Sequence, residues 1–390
     1  MKLLIYSHFF VPSIGGVETV VLSLARGLAE LRAADGSRQV AITVVTQTPT
    51  GTFDDHELPF RVVRRAGLAC LRQLISASDV VHVAGPALAP LICGLLARKP
   101  VVVEHHGFQT ICPNGQLLIE PVGVPCPGHF MSKRHSECLR CNAGQGWLAS
   151  GKLWLLTFVR RFLCSRVSVN ITPTHWLAGL LHLPRVTVIP HGLEPANALV
   201  RTDTSTGCPL VAFQGRLVAT KGVRLLLEAA RILRDQNHSF ELLIIGEGPE
   251  RTALEQFTRE IGLADRVQFA GRLAVPQLEA ALAQTSVLAA PSLGGEVFGL
   301  VVAENMLRGL PVVASDLGAF VEVVGEGGIT FRTGDAFDLA TKLIQFLDDS
   351  ALAARLSIVA RQRALDVFSQ HRMIDDHFRL YDNLLRSLPR

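Results

Sequence analysis

Short apolar runs alternate with longer amphipathic stretches along nearly the whole chain. In the first half, aliphatic and β-branched runs fall at residues 2–6, 40–46, 80–84, 101–104, 167–172 and 187–190. Helical periodicity occupies 19–29, 68–77 and 88–97 between them. The second half resumes the alternation, with strands expected at 210–213, 240–245, 267–269, 287–290 and 312–314. Helices are expected there at 223–233, 250–261, 276–283 and 299–308, and residues 335–387 are predominantly helical in pattern. Near-continuous apolar strands separated by helices predict parallel sheets covered on both faces, the α/β doubly wound arrangement. A chain of 390 residues exceeds what one core ordinarily fills, so two domains of similar size are expected.

Three stretches break the alternation. Residues 108–146 are rich in Pro, Gly and Cys with little periodicity, and a loop that long in a compact domain is usually functional or carries its own staple. Residues 196–208, with Asn, Thr, Ser and Gly, read as a polar loop. Residues 148–162 are helix-prone, with large apolar side chains and Lys152, Arg160, Arg161 and Arg166 nearby. A helix lying on a membrane surface and a helix packed on the sheet with solvated arginines are both open readings.

Charge adds an asymmetry to this picture. Residues 1–190 carry 18 Lys+Arg against 10 Asp+Glu, and residues 191–390 carry 20 against 24. A basic first half can meet anionic lipid or an acidic acceptor. The bases are scattered, and no phosphate-loop or nucleic-acid module is visible, so no nucleic-acid partner is expected. The N-terminus reads as a buried strand rather than a signal sequence, and no apolar stretch reaches membrane-spanning length. Cytoplasmic location follows as an expectation, with peripheral contact at the inner membrane face left open. Cys112, Cys126, Cys138 and Cys141 cluster as C-x13-C-x11-C-x2-C, with His129 and His135 between them. A structural zinc site, free thiols and a redox pair all remain open readings of that cluster.

The densest chemistry lies between Leu293 and Gly318. Gly294 and Gly295 form a loop, Gly299 opens a helix, and Gly309-Leu310-Pro311 closes it. Eight residues within one helix would leave Glu296 and Glu304 about 80° apart. The loop–helix break lets both carboxylates face one side instead. A glycine-flanked helix start carries free N–H groups that suit a diphosphate, and carboxylates suit vicinal hydroxyls. Phe298, Gly299 and Leu300 stand at that start. Gly215-Arg216 follows the strand at 210–213 and Lys221-Gly222 comes shortly after, a placement that lets Arg216 and Lys221 clamp a phosphate pair. Gly246 ends the next strand in Ile-Ile-Gly-Glu-Gly-Pro. These elements in this order point to a sugar-nucleotide site.

The series GRL…KG, IIGEGP, FAGRL, PS…E-x7-E and G-x-PVVAS resembles the C-terminal half of the retaining glycosyltransferases of family 4. The N-terminal half agrees, with Gly15-Gly16-Val17-Glu18 before a helix, Glu104-His105-His106-Gly107 at a strand end, and His191-Gly192 where the family usually has Asn-Gly. The resemblance implies the GT-B fold, two Rossmann-like domains facing across a cleft. It places an N-terminal acceptor-side domain at 1–188, a nucleotide-sugar domain at 189–371, and a last helix, about 372–390, crossing back to the first. It implies a hexosyltransferase moving a hexose from a nucleotide-sugar donor to a glycan or lipid-linked acceptor, in cell-surface polysaccharide, lipopolysaccharide or glycolipid assembly.

By the same resemblance Glu304 binds ribose hydroxyls and Glu296 the donor sugar. Arg216 and Lys221 stabilise the leaving diphosphate with no metal needed for catalysis. His106 corresponds to a histidine whose carbonyl or ring reaches the donor sugar, although His105 leaves that register open by one position. Gly15 and Gly16 let the backbone approach the diphosphate or acceptor, and Glu18 either orients the acceptor or caps its helix. One departure is Asp316-Leu317-Gly318-Ala319, where the family often has Gly-Gly. Two other readings share the fold: a nucleotide-sugar epimerase and a non-catalytic nucleotide-sugar-binding protein. The intact set Arg216, Lys221, Glu296 and Glu304 argues against the second.

Overall fold

The computed structural model describes the chain except residues 52, 121, 195–207 and 388–390. The polar loop expected at 196–208 thus lies almost wholly outside the described residues. Contacts gather residues 1–115, 128–194 and 368–387 into one compact unit, and 116–127 with 208–367 into another. The first junction falls a few residues later than position 188, and the return to the first unit begins at Phe368, before the last helix itself.

The first unit is built on β1 (Lys2–Ser7), β2 (Ala41–Thr46), β3 (Arg61–Arg64), β4 (Val80–Ala84) and β5 (Val101–Glu104). A two-stranded hairpin, β6 (Leu118–Ile119) with β7 (Val124–Pro125), interrupts the series before β8 (Val169–Thr172) and β9 (Val186–Val188). The sheet order is β3-β2-β1-β4-β5-β8-β9, and every pair is parallel. Leu3, Leu4, Ile5, Val80, Val81, Val83, Val101, Val102 and Val103 are all buried, which is why the central strands show no polar alternation. Strand β3 was not expected. Its sequence, Arg-Val-Val-Arg, pairs on one side only and is at most half-buried, so it lacks the apolar run of a central strand. β9 stops at Val188, before Pro190, which has no N–H for a ladder.

The insert at 108–146 holds the hairpin and the short helix His135–Cys141. Contrary to its expected place in the first domain, its 116–127 portion belongs to the second unit. The last helix, Gln370–Arg386, starts on a Ser369 cap whose hydroxyl accepts from the Arg372 N–H. It lies against the helix Gly16–Glu30 in close contact: a Cβ on Gly27 would stand 1.9 Å from Ile374 Cδ1, so a larger residue there would require Ile374 to shift. Gln370 Nε2 donates to Ser23 Oγ at 2.8 Å across the same contact.

The second unit carries β10 (Leu210–Gln214), β11 (Glu241–Ile245), β12 (Val267–Gly271), β13 (Val287–Ala290), β14 (Val312–Ser315) and β15 (Gly328–Phe331). Their order is β12-β11-β10-β13-β14-β15, again parallel throughout. The expected strands and helices occur here with ends shifted by at most two residues, and, apart from short 3-10 turns, one strand and one α-helix are additional. These are the edge strand β15 and the helix Gly318–Val324, which begins inside the Asp-Leu-Gly-Ala departure. The helix Val223–Asp235 buries Leu226, Ala229, Ala230 and Leu233 on the sheet. The chain leaves β10 toward β11 on one side and returns to β13 on the other. The crevice outside the carboxyl ends of β10 and β13 is therefore the topological switch point, where open α/β sheets bind ligands.

Candidate active site

The loops after β10 and β13 meet at this switch point. Gly215 and exposed Arg216 form the turn leaving β10, and Arg216 makes no ion pair among the described residues. The chain then tightens into a single 3-10 turn, Ala219–Lys221, ending at Gly222 with φ +66°. A Cβ on Gly222 would lie 2.0 Å from the Pro291 carbonyl oxygen, so only glycine lets the two loops approach this closely. The Leu293 N–H donates to the Thr220 carbonyl at 2.8 Å and locks them together.

This approach brings Lys221 and Glu296 into an ion pair with side chains 25% and 10% exposed. Ser292 Oγ donates to the same Glu296 oxygen at 2.9 Å. Ser292 sits in the PS…E motif, but nothing local to the sequence showed that it orients the glutamate. The hairpin supplies a second brace, because the Gly295 N–H donates to the Gln116 carbonyl at 2.7 Å. The end of the insert thus fixes the glycine loop that carries Glu296.

Gly246, after β11, has φ +141°, and a Cβ there would stand 1.8 Å from the Gly215 carbonyl oxygen. It seats the Arg216 turn, together with the bond from Gly215 N–H to the Ile245 carbonyl at 3.0 Å. Gly299 caps the helix Leu300–Leu307 at φ +99°, with Phe320 where a Cβ would go. Phe298 is buried behind that cap. Glu304 lies in this helix, and burial raises its carboxyl above the ordinary 4.5, with Arg308 one turn on opposing the rise. Asn305 beside it is fully buried and donates to Gln214 Oε1 at 3.0 Å, tying the helix to the end of β10. That tie was not visible in the sequence. Of the expected residues, Gly215, Arg216, Lys221, Gly246, Glu296, Phe298, Gly299, Leu300 and Glu304 all fall on the second unit's strand-end loops and the helix they lead into.

The remaining expected residues belong to the first unit. Gly15 precedes the helix Gly16–Glu30, and the Glu18 carboxylate folds back over it, 2.5 Å from where a Gly15 Cβ would stand. An acid in the first turn complements the helix dipole. His106, two residues beyond β5, turns Nε2 toward Glu104 Oε2 at 3.5 Å and stacks on His191 with centroids 5.2 Å apart. His105 points elsewhere and bonds Asn170 Oδ1 at 2.9 Å, and burial lowers its pKa to about 4. The two adjacent histidines therefore have different surroundings.

The cysteines have their own surroundings. Cys112 Sγ donates to Asn114 Oδ1 at 2.9 Å, and Asn114 Nδ2 reaches Cys141 Sγ at 3.6 Å. Cys138 is buried, and Cys126 lies at the end of the hairpin assigned to the second unit. Among the described residues, two groups of side chains lie within coordinating range of one another, and both are built on Glu104 rather than on cysteine.

Residues 14–197 match the family model "Glycosyltransferase Family 4", and residues 208–349 match "Glycosyl transferases group 1". A 2-deoxystreptamine glucosyltransferase of Streptomyces kanamyceticus is 27% identical over 91% of this chain and 95% of its own. A GDP-mannose-dependent alpha-(1-6)-phosphatidylinositol monomannoside mannosyltransferase of Mycolicibacterium smegmatis is 30% identical, over 76% of this chain and 75% of its own. Among solved structures, Anabaena HepE in complex with UDP and glucose superposes with a TM-score of 0.72 at 19% identity, covering 98% of this chain and 100% of that one. The two parallel sheets, the glycine-seated loops at the second sheet's switch point and these matches agree: the chain belongs to glycosyltransferase family 4, with the GT-B fold, and moves a sugar from a nucleotide-sugar donor to an acceptor.

Proposed function

We propose that the enzyme is a retaining hexosyltransferase that elongates a glycan or lipid-linked acceptor in cell-surface polysaccharide, lipopolysaccharide or glycolipid assembly. One observation carries the reading: two cations, Arg216 and the Glu296-paired Lys221, stand at the switch point of the second sheet. As the bond between the sugar C1 and the diphosphate breaks, its electron pair passes to the diphosphate oxygen, and cations placed there stabilise the charge. The acceptor oxygen forms its bond to C1 on the same face, and its proton passes to the departing diphosphate. Glu296 orients the sugar hydroxyls and Glu304 the ribose.

Relatives support a hexose donor and a surface-glycan context. They include a GDP-mannose:cellobiosyl-diphosphopolyprenol alpha-mannosyltransferase of Xanthomonas oryzae, 26% identical, and a structure of WaaG, described as involved in lipopolysaccharide biosynthesis.

A lipid-linked acceptor accords with the helix Trp147–Cys164. It contains three basic residues, Lys152, Arg160 and Arg161, and no acidic one. Leu148 is 93% exposed and Phe162 58%, with Trp147 and Leu155 also outward. Exposed apolar side chains beside bases suit an anionic lipid surface. No helix among the described residues is long and apolar enough to cross a membrane. Arg161 is otherwise engaged, donating to the Leu181 and His182 carbonyls, so Lys152, Arg160 and Arg166 are the bases available to lipid.

The test is a thermal-shift panel of UDP-, GDP- and ADP-sugars, in which a donor at about 100 times its Kd adds about 2.7 kcal/mol. The donor so identified is then incubated with short glycan and polyprenyl-diphosphate acceptors, and the anomeric configuration of the product is read by NMR. Retention with a lipid-linked acceptor is the expected result. An inverted product, or no transfer to either acceptor class, overturns the reading.

A further inference from the structure

Glu104 ends β5 with its carboxylate fully buried. Four imidazoles surround it. Oε2 lies 3.2 Å from His82 Nε2, 3.5 Å from His106 Nε2 and 3.8 Å from His377 Nε2, and Oε1 lies 3.4 Å from His191 Nδ1. Neither carboxylate oxygen has a hydrogen-bond partner at bonding geometry. A buried carboxylate left in that state would carry several kcal/mol of desolvation penalty.

We propose that His82 Nε2, His377 Nε2 and Glu104 Oε2 coordinate a divalent cation of the zinc class inside the first unit. Spacing is the first support. Charge-assisted N–H···O bonds close to about 2.7–2.9 Å, and all four separations are longer. Two ligand atoms at about 2.0–2.1 Å from a tetrahedral zinc stand roughly 3.3–3.4 Å apart; the 3.2 Å from His82 Nε2 to Glu104 Oε2 is close to that spacing, and the 3.8 Å from His377 Nε2 is somewhat longer. All three side chains are fully buried and their ligand atoms lie within coordinating range of one another.

The second support is the tautomer of His377. Its Nδ1 lies 2.8 Å from the Met373 carbonyl oxygen, which can only accept, so Nδ1 carries the hydrogen. In the neutral ring Nε2 then bears a lone pair directed at a carboxylate, a repulsive contact unless a cation lies between. A histidine donating one N–H to a backbone carbonyl while its other nitrogen faces a metal is the usual outer-shell arrangement of such sites. The Nδ1 of His82 lies 2.8 Å from the hydroxyl of the buried Tyr381, which can accept from it and leave Nε2 as the ligand atom. Two imidazoles and a carboxylate suit zinc, with one tetrahedral position left over.

The three ligands come from β4, β5 and the last helix, so the ion would join the chain's final element to the middle of the first sheet. Glu104 also faces His106 and His191, which gather into the second ligand group. We assign the ion to the first group because the far nitrogens of its two histidines face the Met373 carbonyl and the Tyr381 hydroxyl, and all three of its side chains are fully buried.

The full chain, stripped with chelator and reconstituted with Co²⁺ and then Zn²⁺, tests the assignment. Cys138→Ser serves as the background so that thiolate sites do not contribute. About one equivalent is expected to remain in that background, with visible Co²⁺ bands and no intense near-ultraviolet thiolate band. It should be lost in His377→Ala and in Glu104→Gln, and Tyr381→Phe should weaken affinity about 10- to 100-fold. Equal metal content with and without His377, or binding that disappears with Cys138 alone, overturns the proposal in favour of a proton-shared imidazolium–carboxylate network. If His377→Ala does not fold, Zn²⁺ must still raise, and chelator lower, the melting temperature of the Cys138→Ser protein. No shift there overturns the assignment as well.

Discussion

Removing the Lys221 ammonium tests the switch-point chemistry most directly. In Lys221→Ala, Glu296 loses its cation and keeps the Ser292 hydroxyl, so its position is largely held while the positive charge disappears. Losing one group that stabilises developing negative charge costs about 2–4 kcal/mol, or roughly 30- to 900-fold in kcat/KM. The stability effect is smaller. The pair is one-quarter exposed on the lysine side and one-tenth on the glutamate side, between the surface limit of about 0–1 kcal/mol and the buried limit of 3–5. A loss of about 1–2 kcal/mol is expected, some 2–8 °C in the melting of a unit this size. The assay is initial-rate release of nucleoside diphosphate from the donor, beside a melting curve on the same preparation. Arg216→Ala provides the contrast, since an exposed cation without an ion pair should lose rate and almost no stability. If Lys221→Ala keeps kcat/KM within threefold of wild type while remaining folded, this lysine does not stabilise the leaving group.

Other outcomes follow from neighbouring residues. Burial raises the Glu304 carboxyl, so between its usual 4.5 and the raised value the folded protein holds a proton that the unfolded chain has released. Stability therefore falls as pH rises through that window, and the full penalty stands above the raised value. Glu304→Gln should melt higher than wild type at pH 7 without ligand, yet bind donor roughly 10- to 150-fold more weakly by calorimetry, as expected for loss of a charged hydrogen bond of about 1.5–3 kcal/mol. Unchanged affinity would remove Glu304 from the donor site. Gly246→Ala must displace the Gly215 carbonyl and adopt a left-handed φ, so a loss of about 2–5 kcal/mol in urea unfolding is expected, with weakened donor binding. Gly334→Ala, also at positive φ but facing open space, should lose only about 1 kcal/mol and leave binding intact. Turnover should persist in EDTA in short assays, since Arg216 and Lys221 supply charge at the leaving group; a strict dependence of kcat on added Mg²⁺ would contradict that.

What the sequence made legible follows from how each feature is encoded. Strands buried on both faces, such as Val80–Ala84 and Val101–Glu104, stand out as unbroken apolar runs, and both were located to the residue. The edge strands Arg61–Arg64 and Gly328–Phe331 were missed because one-sided pairing demands little hydrophobicity. Glu296, Lys221 and the glycines between them could be found because their chemistry is local, packed into loops that follow strands. Asn305 with Gln214, and Gln116 with Gly295, depend on contacts between distant segments and leave no local mark. The histidines around Glu104 are the extreme case, with ligands at 82, 104 and 377 sharing no motif. The cysteines, by contrast, announce themselves by spacing, and spacing alone does not say where ligand atoms converge.

The discontinuity of the first unit bears on how the protein is born. Residues 1–194 leave the ribosome long before Phe368–Arg386, the segment that covers the helix Gly16–Glu30 and meets His82 through Tyr381. During synthesis the seven-stranded sheet therefore waits with Gly27 and its neighbours uncovered, while the more nearly continuous second unit can complete itself apart from its borrowed 116–127 segment. Translation that stops before residue 368 would release a chain whose first unit has no way to close, a natural substrate for chaperones and proteases. A carboxyl-terminal truncation should consequently lower yield in cells far more than loss of some twenty surface residues would suggest.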